Sequence, residues 1–296
     1  MDKNSKKSEA LLYHSHPQPG KIQVIPTKKY ATQRDLSLAY SPGVAEPCLE
    51  IAKDVNDVYK YTTKGNLVAV ITNGTAVLGL GDIGPEASKP VMEGKGLLFK
   101  IFAGIDVFDI EIGTKDIEEF IQTVKNIAPT FGGINLEDIK APESFEIEKR
   151  LVAELDIPVM HDDQHGTAIV VLAALKNSLK LVKKDISTVK IVMSGAGAAG
   201  TAVARLLVKS GAKNIIAFDK DGAINGSRTR DDEMRAWFID HSNPTNFSGN
   251  LHEAMTGADV FIGVSAPNVL TESDVASMSE RSIVFALANP DPEVDP

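Results

Sequence analysis

Apolar and polar positions along the chain follow two periods. Leu67-Val68-Ala69-Val70-Ile71-Thr72 is rich in β-branched residues and stops at Asn73-Gly74, which predicts a strand ending in a turn. Val77-Leu78-Gly79-Leu80 reads as its hairpin partner. Residues 89–102 have helical apolar spacing, Val107–Ile112 alternates like a half-buried strand, and residues 116–127 place Ile117, Phe120, Ile121 and Val124 on one helical stripe. Gly133–Leu136 and Ile157–Met160 read as short strands, with a helix over 143–155 between them. Residues 166–181 predict a long apolar helix linking two domains. From Val189 the pattern becomes βαβ: Val189–Met193, a glycine loop, a helix over 201–209, Gly211 as its cap, then Ile215–Phe218. Apolar strands follow at Asp259–Val264 and Ser282–Leu287.

This alternation predicts an α/β fold in two domains. Residues 1–30 carry Pro17, Pro19 and Pro26 and read as an extended arm with one short helix. Residues 31–165 form an N-terminal α/β domain with acidic residues at strand C-termini, where open α/β sheets place their ligands. Residues 166–296 form a Rossmann-like dinucleotide-binding domain.

The glycine loop carries the first chemistry. Gly195-Ala196-Gly197-Ala198-Ala199-Gly200 follows a strand and opens a helix, and Asp219 ends the next strand nineteen residues beyond Gly200. In such a loop Gly195 permits the tight turn, Gly197 lets a pyrophosphate approach the backbone, and Gly200 allows close helix–strand packing. The amides at Ala198 and Ala199 open the helix toward the phosphates. Asp219 would accept hydrogen bonds from the adenine ribose, which favours NAD because a carboxylate repels a 2′-phosphate. Lys220 and Arg228 stand close enough in sequence to keep NADP open.

Two acidic pairs, Glu137-Asp138 and Asp162-Asp163, each follow a predicted strand end. Adjacent carboxylates repel and are costly to desolvate together unless a cation or proton offsets them. Carboxylates converging from several strand ends make a hard oxygen shell suited to Mg²⁺ or Mn²⁺. His161 and His165 have the spacing of a helical zinc motif, but the pair between them reads as a strand end rather than a helix interior.

Composition narrows the classes. With 296 residues, 43% of them hydrophobic, the chain is long enough for two folded domains. A net charge of −9 offers no basic field for nucleic acid or an anionic membrane. The one cysteine, Cys48, excludes an intrachain disulfide and fits a reducing compartment. The charged start leads into no apolar run and no stretch is long enough to span a bilayer, so a cytoplasmic protein is expected.

Several ordered motifs resemble those of malic enzymes. Tyr40-Ser41-Pro42-Gly43-Val44-Ala45 is similar to the family's tyrosine motif. Leu78-Gly79-Leu80-Gly81-Asp82-Ile83-Gly84 with Lys89-Pro90-Val91-Met92-Glu93-Gly94-Lys95 is similar to its glycine-rich lysine motif. Asn135-Leu136-Glu137-Asp138 and His161–Ala168 resemble its two metal blocks, and Ala288-Asn289-Pro290 its asparagine block. The match is nearest the short bacterial, NAD-dependent form. The resemblance implies Glu137, Asp138 and Asp163 as metal ligands, Lys95 as the base for the malate hydroxyl, Asp162 as its partner in proton traffic, and Tyr40 as the general acid. Asn289 is implied at the substrate and cofactor, and Tyr40 and Lys95 would also contact substrate. The implied reaction is metal-dependent oxidative decarboxylation of malate to pyruvate and CO₂ with reduction of NAD⁺, in a homodimer or larger homo-oligomer. A lysine serves as a base near neutrality when a neighbouring cation depresses its pKa.

Two departures accompany the resemblance. Larger family members carry an arginine just before the glycine-rich block, where this chain has Ala76. The chain also stops soon after Asn289, with only about four strands predicted for the second sheet against about six in a full dinucleotide fold. It is therefore expected to lack the family's C-terminal end. Two alternatives stay open: a malolactic-type conversion to lactate with bound NAD, and an inactive nucleotide-binding or regulatory fragment. Asp82 is read as a structural turn residue.

Overall fold

The computed structural model describes residues 3–77, 79–231 and 233–295, with backbone only for 3–6. It divides into two compact units, one up to Met160 and one from His161.

The first unit opens with helix α1 (Lys3–Ser15) and an extended stretch, followed by α2 (Gln33–Ala39), α3 (Ala45–Lys53) and α4 (Val58–Tyr61). Thr32 and Asp35 close α2 with a reciprocal capping box. Strand β1 (Leu67–Thr72) leads through a loop to α5 (Pro85–Ala103), β2 (Asp106–Glu111), α6 (Ile117–Ile127), β3 (Gly133–Leu136), α7 (Glu143–Glu154) and β4 (Val159–His161). The sheet order is β2-β1-β3-β4, and β1 runs parallel to both β2 and β3.

Side-chain alternation in the strands decides what each face meets. Ala69, Ile71, Ile134 and Leu136 point to one side, where the buried stripes of α6 (Phe120, Ile121, Val124) and α7 (Ile147, Leu151) close over them. Val70 and Asn135, paired in register, point to the other side, which α5 covers with Met92 and Gly96. Gly96 approaches so closely that an added Cβ would lie 3.3 Å from Val107.

The expected hairpin after Asn73-Gly74 is not formed. The partners of β1 are the distant β2 and β3, and among the described residues Val77 bridges Gly81 across a tight turn. An apolar run of four had the composition of a strand, but both edges of β1 are already taken, by β2 and β3. Leu78 itself lies outside the described residues. Gly74 has φ +67°, and a Cβ there would fall 2.1 Å from the Gly84 carbonyl oxygen, so this glycine lets the β1 loop seat against the start of α5.

On the α5 side of β2, one cation faces three carboxylates. Lys89 Nζ lies 2.5 Å from Asp109, 3.7 Å from Glu111 and 4.0 Å from Glu93. Burial, reinforced by the hydrogen bond and charge of Asp109, pushes the Glu111 carboxyl from 4.5 up to about 7, with Lys89 opposing. Between those values the folded chain keeps a proton that the unfolded chain releases. Stability is therefore expected to fall as pH rises through that window and to level above it. Urea midpoints at pH 5 and pH 8 check this, and Glu111→Gln should flatten the difference.

The second unit begins with α8 (Asp162–Val182), then β5 (Lys190–Ser194), α9 (Ala198–Lys209), β6 (Asn214–Asp219), the two-residue β7 (Gly222–Ala223) and α10 (Glu233–His241). It continues with α11 (Leu251–Met255), β8 (Val260–Gly263), α12 (Glu272–Ala276) and β9 (Ile283–Ala286). The sheet order is β7-β6-β5-β8-β9, parallel except for β7. It has five strands rather than the four read from the pattern, because β7 is too short to carry a periodic signal. Ile191, Met193, Ile215, Ala217, Val260 and Ile262 pack beneath α8, α9 and α10. The alternate residues Val192, Ile216, Phe218 and Phe261 pack against α11 and its loops on the opposite face.

Helix α8 starts at Asp162, four residues before the predicted start, so the second acidic pair occupies a helical first turn instead of ending the strand. Two carboxylates are favoured there by the amide dipoles of the helix N-terminus. His161 is the N-cap and is buried, so it lies outside the helical phase of His165. No helix among the described residues is long and apolar enough to cross a membrane.

Candidate active site

Pleat phase places the first acidic residue. Glu137 follows Asn135 by two, so its side chain leaves on the α5 face, and its N–H extends the ladder by donating to the Ile71 carbonyl at 2.9 Å. There it meets Lys95 of α5, whose Nζ lies 3.0 Å from Glu137 Oε1. Asn135 Nδ2 donates to the other oxygen, Oε2, at 2.8 Å. Glu137, Asp138 and Asn135 are all buried.

Asp138 holds a left-handed backbone, φ +53°, and its carbonyl accepts the Ala76 N–H at 3.0 Å. Lys140 N–H donates to Thr75 Oγ1 at 3.0 Å, so the loops after β1 and β3 are stitched together around the pair. Among the described residues Asp82 makes no hydrogen bond within its own turn; Lys115 Nζ reaches it at 2.6 Å from the loop after β2.

Tyr40 is not brought to the Lys95–Glu137 pair by any hydrogen bond. It is the C-cap of α2, is 77% exposed, and its phenol forms no hydrogen bond among the described residues.

In the second unit, His161 Nδ1 lies 3.1 Å from Gln164 Nε2, and its Nε2 lies 3.5 Å from Asp163 Oδ2. Asp162 folds its carboxylate back across the next turn. A Cβ on Gly166 would sit 2.1 Å from Asp162 Oδ1.

The glycine loop behaves as its spacing demands. Gly195 has φ +105°, and a Cβ on it would lie 2.6 Å from the Val264 carbonyl oxygen. A Cβ on Gly200 would lie 2.0 Å from the Gly195 oxygen, whereas one on Gly197 would meet nothing within 4 Å. Gly197 therefore faces open space, and it is the N-cap of α9, which begins at Ala198-Ala199. A cavity of about 610 Å³ opens there, lined by Ser194, Gly195, Gly197, Asp219, Arg235 and Ser265 among others.

Asp219 does not stand open at this cavity. Its Oδ1 accepts the Asp221 N–H at 2.9 Å, and Arg228 Nη2 reaches both oxygens at 3.2 and 3.0 Å. Arg235 Nη2 stands 3.2 Å from Oδ2. Asn289 is exposed on the loop after β9 and is not among the residues lining the cavity. The loop carrying it is fixed by Glu293, whose buried carboxylate accepts Ser265 N–H at 2.9 Å and Ala288 N–H at 3.0 Å. Sequence reasoning did not single out Asn135, Arg235 or Glu293.

A parallel sheet with a glycine-loop helix N-terminus and an acidic strand end defines a dinucleotide-binding α/β protein, here joined to a unit in which a lysine pairs with a buried carboxylate. The chain matches the family model for the malic enzyme N-terminal domain over residues 19–116 and 113–152, and that for the malic enzyme NAD binding domain over 164–295. It belongs to the malic enzyme family. It is 56% identical over 300 residues to the NADP-dependent malic enzyme of Salmonella typhimurium, covering 100% of this chain and 39% of that protein. It is 55% identical over 277 residues to the NAD-dependent malic enzyme of Geobacillus stearothermophilus, covering 94% of this chain and 58% of the relative. The solved structure of an NAD-dependent malic enzyme from Thermotoga maritima superposes with a TM-score of 0.90 at 45% identity, covering 100% of this chain and 77% of that one. The chain thus spans well under two thirds of these two curated relatives.

Proposed function

We propose that this chain carries out divalent-metal-dependent oxidative decarboxylation of (S)-malate to pyruvate and CO₂, with NAD⁺ as the preferred hydride acceptor. The observation that carries the reading is the pairing of half-buried Lys95 with buried Glu137 beside buried Asp138, in a chain whose other unit opens a glycine-loop helix onto a cavity. We assign residues 31–165 to substrate and metal, and 166–296 to the nucleotide. Asp219 at the end of β6 supports NAD⁺, since a carboxylate there favours a ribose diol over a 2′-phosphate.

Glu137, Asp138 and Asp163 are the proposed metal ligands. The donor set fits Mg²⁺ or Mn²⁺: carboxylates only, two of them buried, where a desolvated acidic pair calls for a cation. When bound, such an ion supplies Lewis acidity at the malate hydroxyl and at the 2-oxo group that follows from it. Lys95 takes the hydroxyl proton, with its Nζ oriented by Glu137, which Asn135 in turn holds in place. Asp162 shares that proton. Tyr40 returns a proton to C3 after CO₂ departs, and Asn289 bonds the substrate. Tyr40 is exposed in the single chain, which supports a homodimer in which it enters a neighbour's cleft. The one cysteine, Cys48, supports a cytoplasmic setting.

The test mixes the protein with malate, Mn²⁺ and either NAD⁺ or NADP⁺, follows absorbance of the reduced cofactor, and identifies the product. Pyruvate with one equivalent of NADH is expected. Lactate without net reduction, or silence with both cofactors from folded protein, overturns the reading.

Gly166 offers a gentler probe. Gly166→Ala adds helix propensity of about 1 kcal/mol while its Cβ displaces the Asp162 carboxylate. The melting temperature is expected to hold or rise while kcat drops by about tenfold or more. Unchanged kcat would remove Asp162 from the proton path.

A further inference from the structure

We infer that Glu293 is a positioning residue for the reaction: its carboxylate sets the loop after β9, which carries Asn289, against the loop after β8, which walls the cavity at α9. The inference rests on the proposed function, with Asn289 at the substrate. Glu293 is fully buried, and among the described residues it pairs with no basic side chain. A buried carboxylate is costly to desolvate, and here main-chain N–H groups and one hydroxyl offset that cost. Oε1 accepts the Ser265 N–H at 2.9 Å and the Ser265 hydroxyl at 3.3 Å, while Oε2 accepts the Ala288 N–H at 3.0 Å. Three donors from two loops thus converge on two oxygens, and a carboxylate is the side chain that accepts at both.

The carboxylate is seated by the elements it joins. Asn268 N–H donates to the Pro292 carbonyl and Leu270 N–H to the Glu293 carbonyl, each at 3.0 Å, so the main chain at 292–293 runs along the loop after β8. Gly263, the last residue of β8, leaves the room: a Cβ there would lie 2.3 Å from Glu293 Cδ and 2.5 and 2.6 Å from its oxygens. Because a carboxylate only accepts, the Ser265 hydroxyl donates to it and receives the Ser194 hydroxyl, 2.8 Å away at the end of β5. Ser194 and Ser265 both line the cavity, and Ser194 directly precedes the glycine loop. One side chain therefore ties together the ends of β5, β8 and β9, and Asn289 follows immediately after the Ala288 amide that it holds. The two oxygens carry unequal loads, which makes their roles separable. In Glu293→Gln the one carbonyl oxygen is drawn to the two Ser265 donors, and the amide nitrogen then faces the Ala288 N–H, donor against donor. Glutamine should release the loop after β9 and keep the cavity wall.

The test compares Glu293→Gln with the parent chain by amide hydrogen exchange without ligands, by calorimetric titration of NAD⁺, and by malate kinetics with Mn²⁺. Exchange at Ala288 is expected to quicken about tenfold or more, while the Ser265 amide keeps its protection and NAD⁺ affinity stays at the parent's level. kcat/KM for malate should fall about tenfold to a hundredfold. In an Asn289→Ala background the glutamine should lower it little further, since Glu293 acts through Asn289. Gly263→Ala pushes the carboxylate aside from the strand and serves should the glutamine variant fold poorly, with the same quickening at Ala288 and the same fall in kcat/KM. Parental exchange at Ala288, parental malate kinetics despite faster exchange, or a full additional loss in the Asn289→Ala background overturns this inference alone. A collapse of NAD⁺ affinity in Glu293→Gln also overturns it, since the cavity wall would then have moved as well. A parent chain that binds NAD⁺ yet turns over no malate brings down the proposed function, and this inference with it.

Discussion

Lys95→Ala is expected to lower malate turnover by about a thousandfold or more while leaving nucleotide affinity unchanged. The expectation follows from how the side chain is delivered. Helix α5 is pinned at its start, where Gly74 seats against Gly84, and along its length by buried Met92 and the close approach of Gly96 to Val107. Lys95 therefore has little freedom to relocate away from Glu137, 3.0 Å from its Nζ. Alanine also leaves the buried Glu137 carboxylate without that cation, a loss of about 1–3 kcal/mol in stability.

Those two consequences must be separated. Lys95→Arg keeps the positive charge beside Glu137 but cannot give up a proton near neutrality. It should recover most of the stability and little of the turnover. A Lys95→Arg enzyme running at near the parent rate would mean that the residue supplies only charge, and the assignment of the base would fail.

The same pair shows how far the sequence could be read. Strands β1 and β3 and helix α6 lie where periodicity places them, because each has an uninterrupted apolar face that one partner layer buries. The acidic residues stood out by composition, yet the meeting of Lys95 with Glu137 depends on pleat phase: one residue of slip in β3 would send Glu137 to the α6 side. Periodicity also misplaced two junctions. The run at Val77 looked like a strand because short apolar runs carry no information about which edge is available. The start of α8 was set too late because helix dipole stabilisation of Asp162-Asp163 outweighs the break that two adjacent acids suggest. Helices α10, α11 and α12 are five to nine residues long and gave no periodic signal at all, which is why Arg235 went unnoticed.

Gly200→Ala is expected to be the most damaging single methyl group in the second unit. Its Cβ would lie 2.0 Å from the Gly195 oxygen and 2.9 Å from the Gly195 carbonyl carbon, contacts that backbone must move to relieve. The Gly195 carbonyl belongs to the turn leaving β5, whose N–H donates to Phe218 of β6 at 2.9 Å, so the turn cannot swing without breaking the ladder. On the other side the Cβ would touch Val264 at 3.4 Å, just beyond β8. The remaining route is to lift the first turn of α9 off the sheet. That displaces the amides of Ala198 and Ala199 and opens the layer where Val203, Ala204 and Leu207 are buried. A stability loss of about 1–3 kcal/mol from overpacking follows. Nucleotide affinity should fall by about a hundredfold, since pyrophosphate binding at a helix N-terminus needs those amides in place. Gly197→Ala is the matched control: its Cβ would meet nothing within 4 Å in this chain, so folding should be nearly unaffected. Nucleotide binding should still weaken, because the methyl group occupies the space a pyrophosphate would enter. Melting curves with and without NAD⁺ separate the two cases. Gly197→Ala should melt like the parent in the absence of cofactor and gain less from it. Gly200→Ala should melt earlier in both conditions, and a Gly200→Ala protein with parental NAD⁺ affinity would show that α9 does not need its present contact with Gly195 to hold the nucleotide.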